Sequence, residues 1–354
     1  MLAAKRSRLS TPRLIPFQGG QDFLSNFHHA QIRCFGHSFS SSEQLYQYTK
    51  AFVFEDDNAA AAILNATNPA ECKRFGKRVN LPKTKWDSIK LPVMEAVVTA
   101  KFQQNPHLMA KLLHTGDAVL AEATADRYWA SGLSKNELSR LRTFALPGQN
   151  HLGKILMRVR HQARSRSPTA KILLVMDSQG RSIPSHASIR KVFVSGARVQ
   201  VLFKLVRLLS LQGNEYSVII GGTNNLPLDH RTPLLEPSGG LQPRKPNDVF
   251  RQFKTGIDRF LAEFPSTKLV VGEIIPRFDR YGPRNDRKAR IDAVIKSINH
   301  RLANYIEDEP RASCMSLYSA FESVSLFCSS TESTTGIDLH INNAGGRLML
   351  SLES

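Results

Sequence analysis

A chain of 354 residues is long enough for two ordinary domains, each with its own buried core. Its 41% hydrophobic and 22% charged content is that of a globular protein and excludes wholesale disorder. The formal charge of +18, weighted toward the first half, draws polyanions such as nucleic acid or phosphorylated nucleotides, although solubility alone accounts for it equally well.

The basic start Met1-Leu-Ala-Ala-Lys-Arg-Ser-Arg8 is followed by no apolar stretch, so no secretory leader is expected. Lys5, Arg6 and Arg8 read as a basic tail more readily than as a nuclear address. No apolar run approaches the roughly 18 residues that span a bilayer. Cys34, Cys72, Cys314 and Cys328 are scattered without paired spacing, which predicts reduced thiols and neither a disulfide framework nor a metal site. The expectation is a cytoplasmic or nuclear protein without membrane association, metal or cofactor.

Apolar positions recur at three- and four-residue spacing over 42–54, 58–65, 69–76, 87–104, 107–114 and 116–123, which predicts helices there. Extended pieces near 31–39, with a turn at Gly36, predict a small hairpin. Residues 14–162 therefore read as one α+β domain, mainly helical. The small, polar and basic stretch Gln162-Ala-Arg-Ser-Arg-Ser-Pro-Thr169 reads as a linker over 163–169.

Beyond it, Ile172-Leu-Leu-Val-Met176, Val192-Phe-Val194, Val218-Ile-Ile220 and Leu269-Val-Val-Gly272 are short apolar runs. Amphipathic stretches at 197–212, 246–264 and 286–306 separate them, with a surface excursion at 227–245. Strands alternating with helices predict a three-layer, flavodoxin-like α/β domain over 170–354. Its parallel sheet is covered on both faces, with functional loops at the strands' C-terminal ends.

Two tracts carry chemistry: Ser40-Ser-Ser-Glu-Gln-Leu-Tyr-Gln47 and Thr124-Ala-Asp-Arg-Tyr-Trp129. Each sets an acid beside aromatic residues, so that a carboxylate can activate water while a ring grips a base. Ser40-x-x-Glu43 is also a capping-box pattern, which would give Glu43 no chemistry. Glu43, Gln47 and Lys50 share one helical face, which suits a phosphorylated sugar and equally a solvated surface. Gly148-Gln-Asn-His-Leu-Gly153 reads as a turn before a helix or as an anion site. Arg74, Lys77 and Arg78 are phosphate contacts or a solvated basic face.

With Phe23-Leu-Ser-Asn-Phe27, Ser41-Ser-Glu43-Gln-Leu-Tyr-Gln47, Trp86-Asp-Ser-Ile-Lys90 and Asp126-Arg-Tyr-Trp129 in that order, residues 14–162 resemble the NADAR (YbiA-like) N-glycosidase family. Met94, Lys101-Phe102, Leu112-Leu-x-Thr-Gly116 and Gly153-Lys-x-Leu-Met157 extend the likeness. It implies Glu43, Trp86, Asp126 and Trp129 as catalytic residues. It also implies Asn26, Phe27, Gln47, Lys50, Gly148 and Asn150 as substrate contacts. The implied substrates are ribosylaminopyrimidine phosphates of riboflavin synthesis, or ADP-ribose attached to a nucleobase. Cleavage of such a bond passes through an oxocarbenium-like state that a carboxylate stabilises. Stacking on tryptophan holds the base with about 1–3 kcal/mol. Both of the chain's tryptophans fall in these motifs, and the four catalytic side chains are expected to converge on one ribosyl carbon.

The second half resembles the SGNH (GDSL-like) hydrolases through Met176-Asp177-Ser178-Gln179, Ser195-Gly196-Ala197, Gly222-Thr-Asn-Asn225 and Asp338-Leu-His-Ile-Asn342-x-x-Gly345. The likeness implies Ser178 as nucleophile, Gly196 and Asn224 as oxyanion donors, His340 as base and Asp338 as its acid. Met176 stands in place of a glycine, Asn225 in place of an aspartate, and Asp338 lies two residues before His340 rather than three. Without an orienting acid the imidazole tautomer is uncontrolled. A degenerate domain kept for binding is therefore favoured over an active serine esterase. A wholly non-catalytic nucleic-acid-binding protein is the remaining alternative.

Overall fold

The computed structural model describes residues 13–141, 145–165, 171–177, 188–226, 246–275, 286–318, 337–341 and 348–352. These form two compact units, Met1–Val79 with Val93–Ser167 and Asn80–Pro92 with Pro168–Ser354.

In the first unit, β1 (Leu14–Phe17) pairs in parallel with β4 (Val119–Glu122), placing Phe17 opposite Glu122. The hairpin is β2 (His29–Cys34) against β3 (His37–Ser41). Its two-residue turn has both residues in the left-handed region, Phe35 at φ 55° and Gly36 at φ 79°. That is the backbone which matches the twist of the flanking strands. The helices are α1 (Ser42–Val53), α2 (Asp57–Leu64), α3 (Pro69–Gly76), α4 (Lys83–Gln104), α5 (Pro106–His114), α6 (Lys135–Arg140) and α7 (His151–Ser165). Helix α1 packs on α2 and α3, while α7 packs on α5 and β4. Phe17, Ile32, Phe39, Leu45, Ile63 and Phe102 are fully buried and form the centre of this core.

The helix expected at 116–123 is instead a turn followed by β4. Gly116 at φ 61° ends the preceding turn, and Val119-Leu120-Ala121 then runs extended beside β1. A short apolar run is compatible with either period; the distant β1 decides it.

In the second unit, β5 (Ile172–Met176), β6 (Ile189–Phe193), β7 (Tyr216–Ile220), β8 (Lys268–Gly272) and β9 (Ala312–Met315) form one parallel sheet in the order β6-β5-β7-β8-β9. This is the flavodoxin-like doubly wound order, whose direction of winding reverses between β5 and β7. Helix α8 (Val199–Ser210) packs on β5 and β7, α9 (Pro246–Glu263) on α8 and β8, and α10 (Asp286–Ile306) on α9 and β9. Gly256 permits the close approach of α9 to α8, because a Cβ there would sit 2.3 Å from the Phe203 ring. The second strand begins at Ile189, ahead of the predicted 192–194. β9 has no counterpart in the prediction, its Ala-Ser-Cys-Met being too short and mixed to stand out. A separate antiparallel pair joins β10 (Ile337–Ile341) to β11 (Leu348–Leu352). The excursion at 227–245 and most of the 163–169 linker lie outside the described residues. Among the described residues, no helix is long and apolar enough to cross a membrane.

Candidate active site

Glu43 enters α1 directly after the hairpin. The N-cap is Ser41, whose hydroxyl accepts from the Gln44 N–H, and Gln44 Oε1 in turn accepts from the Ser40 N–H at 2.7 Å and hydroxyl at 3.0 Å. Ser41 and Gln44 thus do the capping, and the Glu43 carboxylate is released from it. The Glu43 backbone N–H donates to the Asn26 carbonyl at 3.0 Å, which ties the Phe23–Phe27 loop to the helix start. Its Oε1 accepts from Gln47 Nε2 at 2.8 Å, one turn along the same face. Only 6% of Glu43 is exposed. Burial raises its pKa, while the Gln47 hydrogen bond and the positive charges of Lys73 and Lys50 pull it back down.

Lys50, on the same face, donates to the Gly76 carbonyl at 2.7 Å, and burial lowers its pKa. A Cβ on Gly76 would fall 1.9 Å from Gln47 Oε1, so only glycine leaves room for the amide that orients Glu43. Asn26 Oδ1 and Gln47 Oε1 are buried acceptors without a hydrogen-bond partner among the described residues. Lys73 lies 5.8 Å from the centre of the Phe27 ring, whereas Arg74 is paired with Glu71, and Lys77 and Arg78 are exposed.

The Asp126–Trp129 tract is a loop leading out of β4. Asp126 Oδ1 accepts from the backbone N–H groups of Tyr128 at 2.8 Å and Trp129 at 2.7 Å. The loop is laced to the start of α7 by backbone hydrogen bonds from Gly148, Gln149, Asn150, His151 and Leu152 to Ser131, Arg127, Ala130, Tyr128 and Trp129 respectively. Those donors are therefore spent on the loop and form no anion site. A Cβ on Gly148 would meet the Ala130 carbonyl at 2.4 Å, which explains the glycine. Asn150, expected to contact substrate, grips β4 instead: Oδ1 accepts from Glu122 N–H at 3.2 Å and Nδ2 donates to the Leu120 carbonyl at 2.8 Å.

So anchored, the Trp129 ring meets Tyr46 of α1 edge to face with centroids 5.9 Å apart, and it also borders Tyr128 at 4.9 Å and His151 at 6.3 Å. Tyr46 lies one turn beyond Glu43, so the aromatic cluster and the acid share α1. Trp86 is buried in the first turns of α4, within the segment Asn80–Pro92 that groups with the second unit. Of the four catalytic candidates, Glu43, Asp126 and Trp129 are thus gathered in the first unit.

Glu122, absent from the candidate set, is the group that sequence reasoning missed. It ends β4 with its side chain largely desolvated, and its pKa is pushed up to about 7 by burial and by the carboxylates of Glu43 and Asp126, against the pull of Lys73. Three acids and one lysine therefore share one field. The helix expected over 116–123 concealed it, since as a helical residue Glu122 points nowhere in particular.

In the second unit, Asp177 is buried at the end of β5, and Asn224 Nδ2 donates both to Asp177 Oδ2 and to the Ala197 carbonyl, each at 3.1 Å. Gly196 adopts a left-handed φ of 65°. Asn225 Oδ1 accepts from Val199 N–H at 2.7 Å, and its Nδ2 donates to Gln200 and Gln252. Ser178 lies outside the described residues. Asp338 and His340 sit in β10, and their side chains lie outside the described set.

An acid with displaced protonation, Glu43, set near the Tyr46–Trp129 rings makes this cluster the candidate site. The chain belongs to the NADAR family, whose domain model matches residues 17–164. N-glycosidase R617 of Acanthamoeba polyphaga mimivirus is 34% identical over 126 residues, which is 35% of this chain and 74% of that protein. Riboflavin biosynthesis protein VVA0006 of Vibrio vulnificus is 32% identical over 148 residues, 41% of this chain and 36% of that one. The NMR structure of Escherichia coli YbiA is 29% identical, with a TM-score of 0.37, covering 46% of this chain and 91% of its own.

Proposed function

We propose that the protein is an N-glycosidase that hydrolyses the bond between a heteroaromatic base and a ribose, carried as a ribose phosphate or as ADP-ribose. One observation carries this reading: a buried carboxylate, Glu43, is oriented by Gln47 and set one helical turn from the Tyr46–Trp129 ring cluster. The carboxylate stabilises the cationic sugar carbon and takes a proton from the attacking water. The rings hold the base, and the unpartnered acceptors of Asn26 and Gln47 suit hydroxyl donors such as those of ribose. Lys50 and Lys73 favour a phosphorylated sugar, and the +18 charge favours a base carried in nucleic acid. The name of the mimiviral relative supports the same reaction class, and that of the Vibrio relative supports a riboflavin-synthesis intermediate as substrate.

The test is incubation of the full-length protein with a ribosylaminopyrimidine phosphate and, separately, with DNA bearing ADP-ribosylated guanine. Free base or released ADP-ribose is expected from at least one; release from neither would remove the enzymatic reading. In the second unit, both amide hydrogens of Asn224 are engaged, by Asp177 and Ala197, and so offer nothing to an oxyanion. We therefore read that unit as catalytically degenerate and kept for binding. Turnover of p-nitrophenyl acetate is expected to be negligible, and turnover abolished by Ser178→Ala would show the opposite.

A further inference from the structure

Resting on the N-glycosidase reading, we propose that Glu122, and not Asp126, is the second catalytic carboxyl group, donating the proton that the departing base requires. Asp126 has a different task. It is exposed, and its Oδ1 is occupied by the N–H groups of Tyr128 and Trp129, which fold the loop that presents the indole. That makes Asp126 a positioning residue.

Glu122 is built for aim. Its N–H is held by Asn150 Oδ1 at 3.2 Å, and its carbonyl accepts from Ser131 N–H at 3.0 Å and from the Ser131 hydroxyl at 2.7 Å. It closes the parallel pair with β1 opposite Phe17. These bonds fix the backbone from which the carboxyl group leaves the end of β4, at the base of the loop that carries Trp129.

Its surroundings divide the labour with Glu43. Burial raises the pKa of Glu43, and a side-chain donor, Gln47, with two lysines in its field opposes the rise. Glu122 is raised by burial and by the acids of Glu43 on α1 and Asp126 in the following loop, with Lys73 of α3 as the one opposing cation among the described residues. β1 carries no titratable side chain. The arginines of α7 are turned elsewhere, Arg158 to Glu95, Arg160 to Thr115 and Ala118, and Arg164 to Asp117. Held near neutrality by this imbalance, Glu122 keeps a proton to donate at a pH of about 7. Burial pushes both carboxyl groups toward protonation; what separates them is the opposing field, the Gln47 hydrogen bond and two lysines at Glu43 against Lys73 alone at Glu122.

In the step itself, the bond from the sugar C1′ to the base nitrogen breaks with its electron pair going to nitrogen. The Glu122 proton goes to that nitrogen. The water oxygen bonds C1′, and the water's proton passes to Glu43. Free base and a C1′ hydroxyl result, with Glu122 left as carboxylate and Glu43 protonated; exchange with solvent restores both.

The experiment compares kcat/KM against pH for full-length wild type, Glu122→Gln, Glu122→Asp and Asp126→Asn, on whichever substrate the preceding assay shows to be cleaved. Wild-type activity is expected to decline above pH of about 7. Glu122→Gln is expected to lose about 10²–10⁴-fold and to lose that alkaline limb as well. Glu122→Asp keeps the limb at a lower rate, and Asp126→Asn keeps the limb with a raised KM. An alkaline limb surviving in Glu122→Gln, or vanishing in Asp126→Asn, overturns the assignment while leaving the N-glycosidase reading in place. Wild type inert on every substrate removes that reading and this one together. A carboxyl ¹³C titration of the unsubstituted protein reads the same proton without reliance on any variant's folding, and a Glu122 midpoint in the ordinary carboxylate range overturns the proposal.

Discussion

Glu43→Gln is expected to lower kcat/KM by about 10²–10⁴-fold, the range attributable to a positioned acid–base group, without unfolding the protein. The substitution conserves shape, and the amide oxygen can still accept from Gln47 Nε2. The cap of α1 does not involve Glu43, because Ser41 and Gln44 supply it. Stability at neutral pH should hold or rise. The folded-state pKa of Glu43 lies above its unfolded value, so the native state binds the extra proton. Such a group favours folding below its folded pKa and costs stability as pH climbs through it. Removing the charge removes that cost, the usual trade of stability for activity at a site. The measurement is kcat/KM alongside the thermal midpoint. Wild-type turnover in Glu43→Gln, or inactivity accompanied by a collapsed midpoint, would show Glu43 to be structural.

Most of the helical part of the first unit could be read from spacing, because α1, α2, α3 and α5 carry their apolar stripe locally and begin at local signals. Ser41, Asp56 and Asn68 each accept from an N–H three residues on, and Pro69 and Pro106 sit in the first turns. What spacing could not supply was anything decided by a distant partner. Val119–Glu122 is a strand because of Leu14–Phe17, roughly a hundred residues earlier, and with the strand misread its terminal acid went unnoticed. β9 likewise exists through its pairing with β8, its own sequence being unremarkable for a strand.

The candidate site was legible in a similar, partial way. Glu43, Gln47 and Lys50 were visible as one face of one helix. Gly148 and Asn150 were also recognised as unusual, and their use differs from the expectation. Glycine is required there by the Ala130 carbonyl, and the asparagine spends both ends of its amide on β4. A polar residue in a glycine-rich turn reads as a ligand contact or as a backbone clamp with equal ease; burial and hydrogen-bond partners separate the two. Asp126 illustrates the same ambiguity, an acid in the right motif whose visible task is to fold a loop.

Lys101→Met should destabilise the protein by an amount that grows with pH, reaching several kcal/mol in mild alkali. Lys101 is 1% exposed, and Nζ donates to the carbonyls of Phe23 at 2.7 Å and Ser25 at 2.8 Å. These bonds fasten the loop whose next residue, Asn26, receives the Glu43 N–H. Burial depresses the Lys101 pKa from 10.5 to about 7, with Asp22 opposing the shift. A lysine with a depressed folded pKa binds fewer protons folded than unfolded, so stability rises with pH between the two values. Below pH of about 7 the buried ammonium is a burden; above it, the neutral amine still has the two hydrogens both carbonyls need. Methionine fills the space and leaves Phe23 and Ser25 unsatisfied, at about 1–3 kcal/mol for each carbonyl. Urea unfolding of both proteins at pH of about 7 and about 10 cancels the titration of every shared surface group. A gap that widens toward alkali is the expected result, and because the loosened loop also carries the contact to Glu43, turnover should fall with it. A gap independent of pH would mean that Lys101 holds the loop as a permanent cation rather than as an amine.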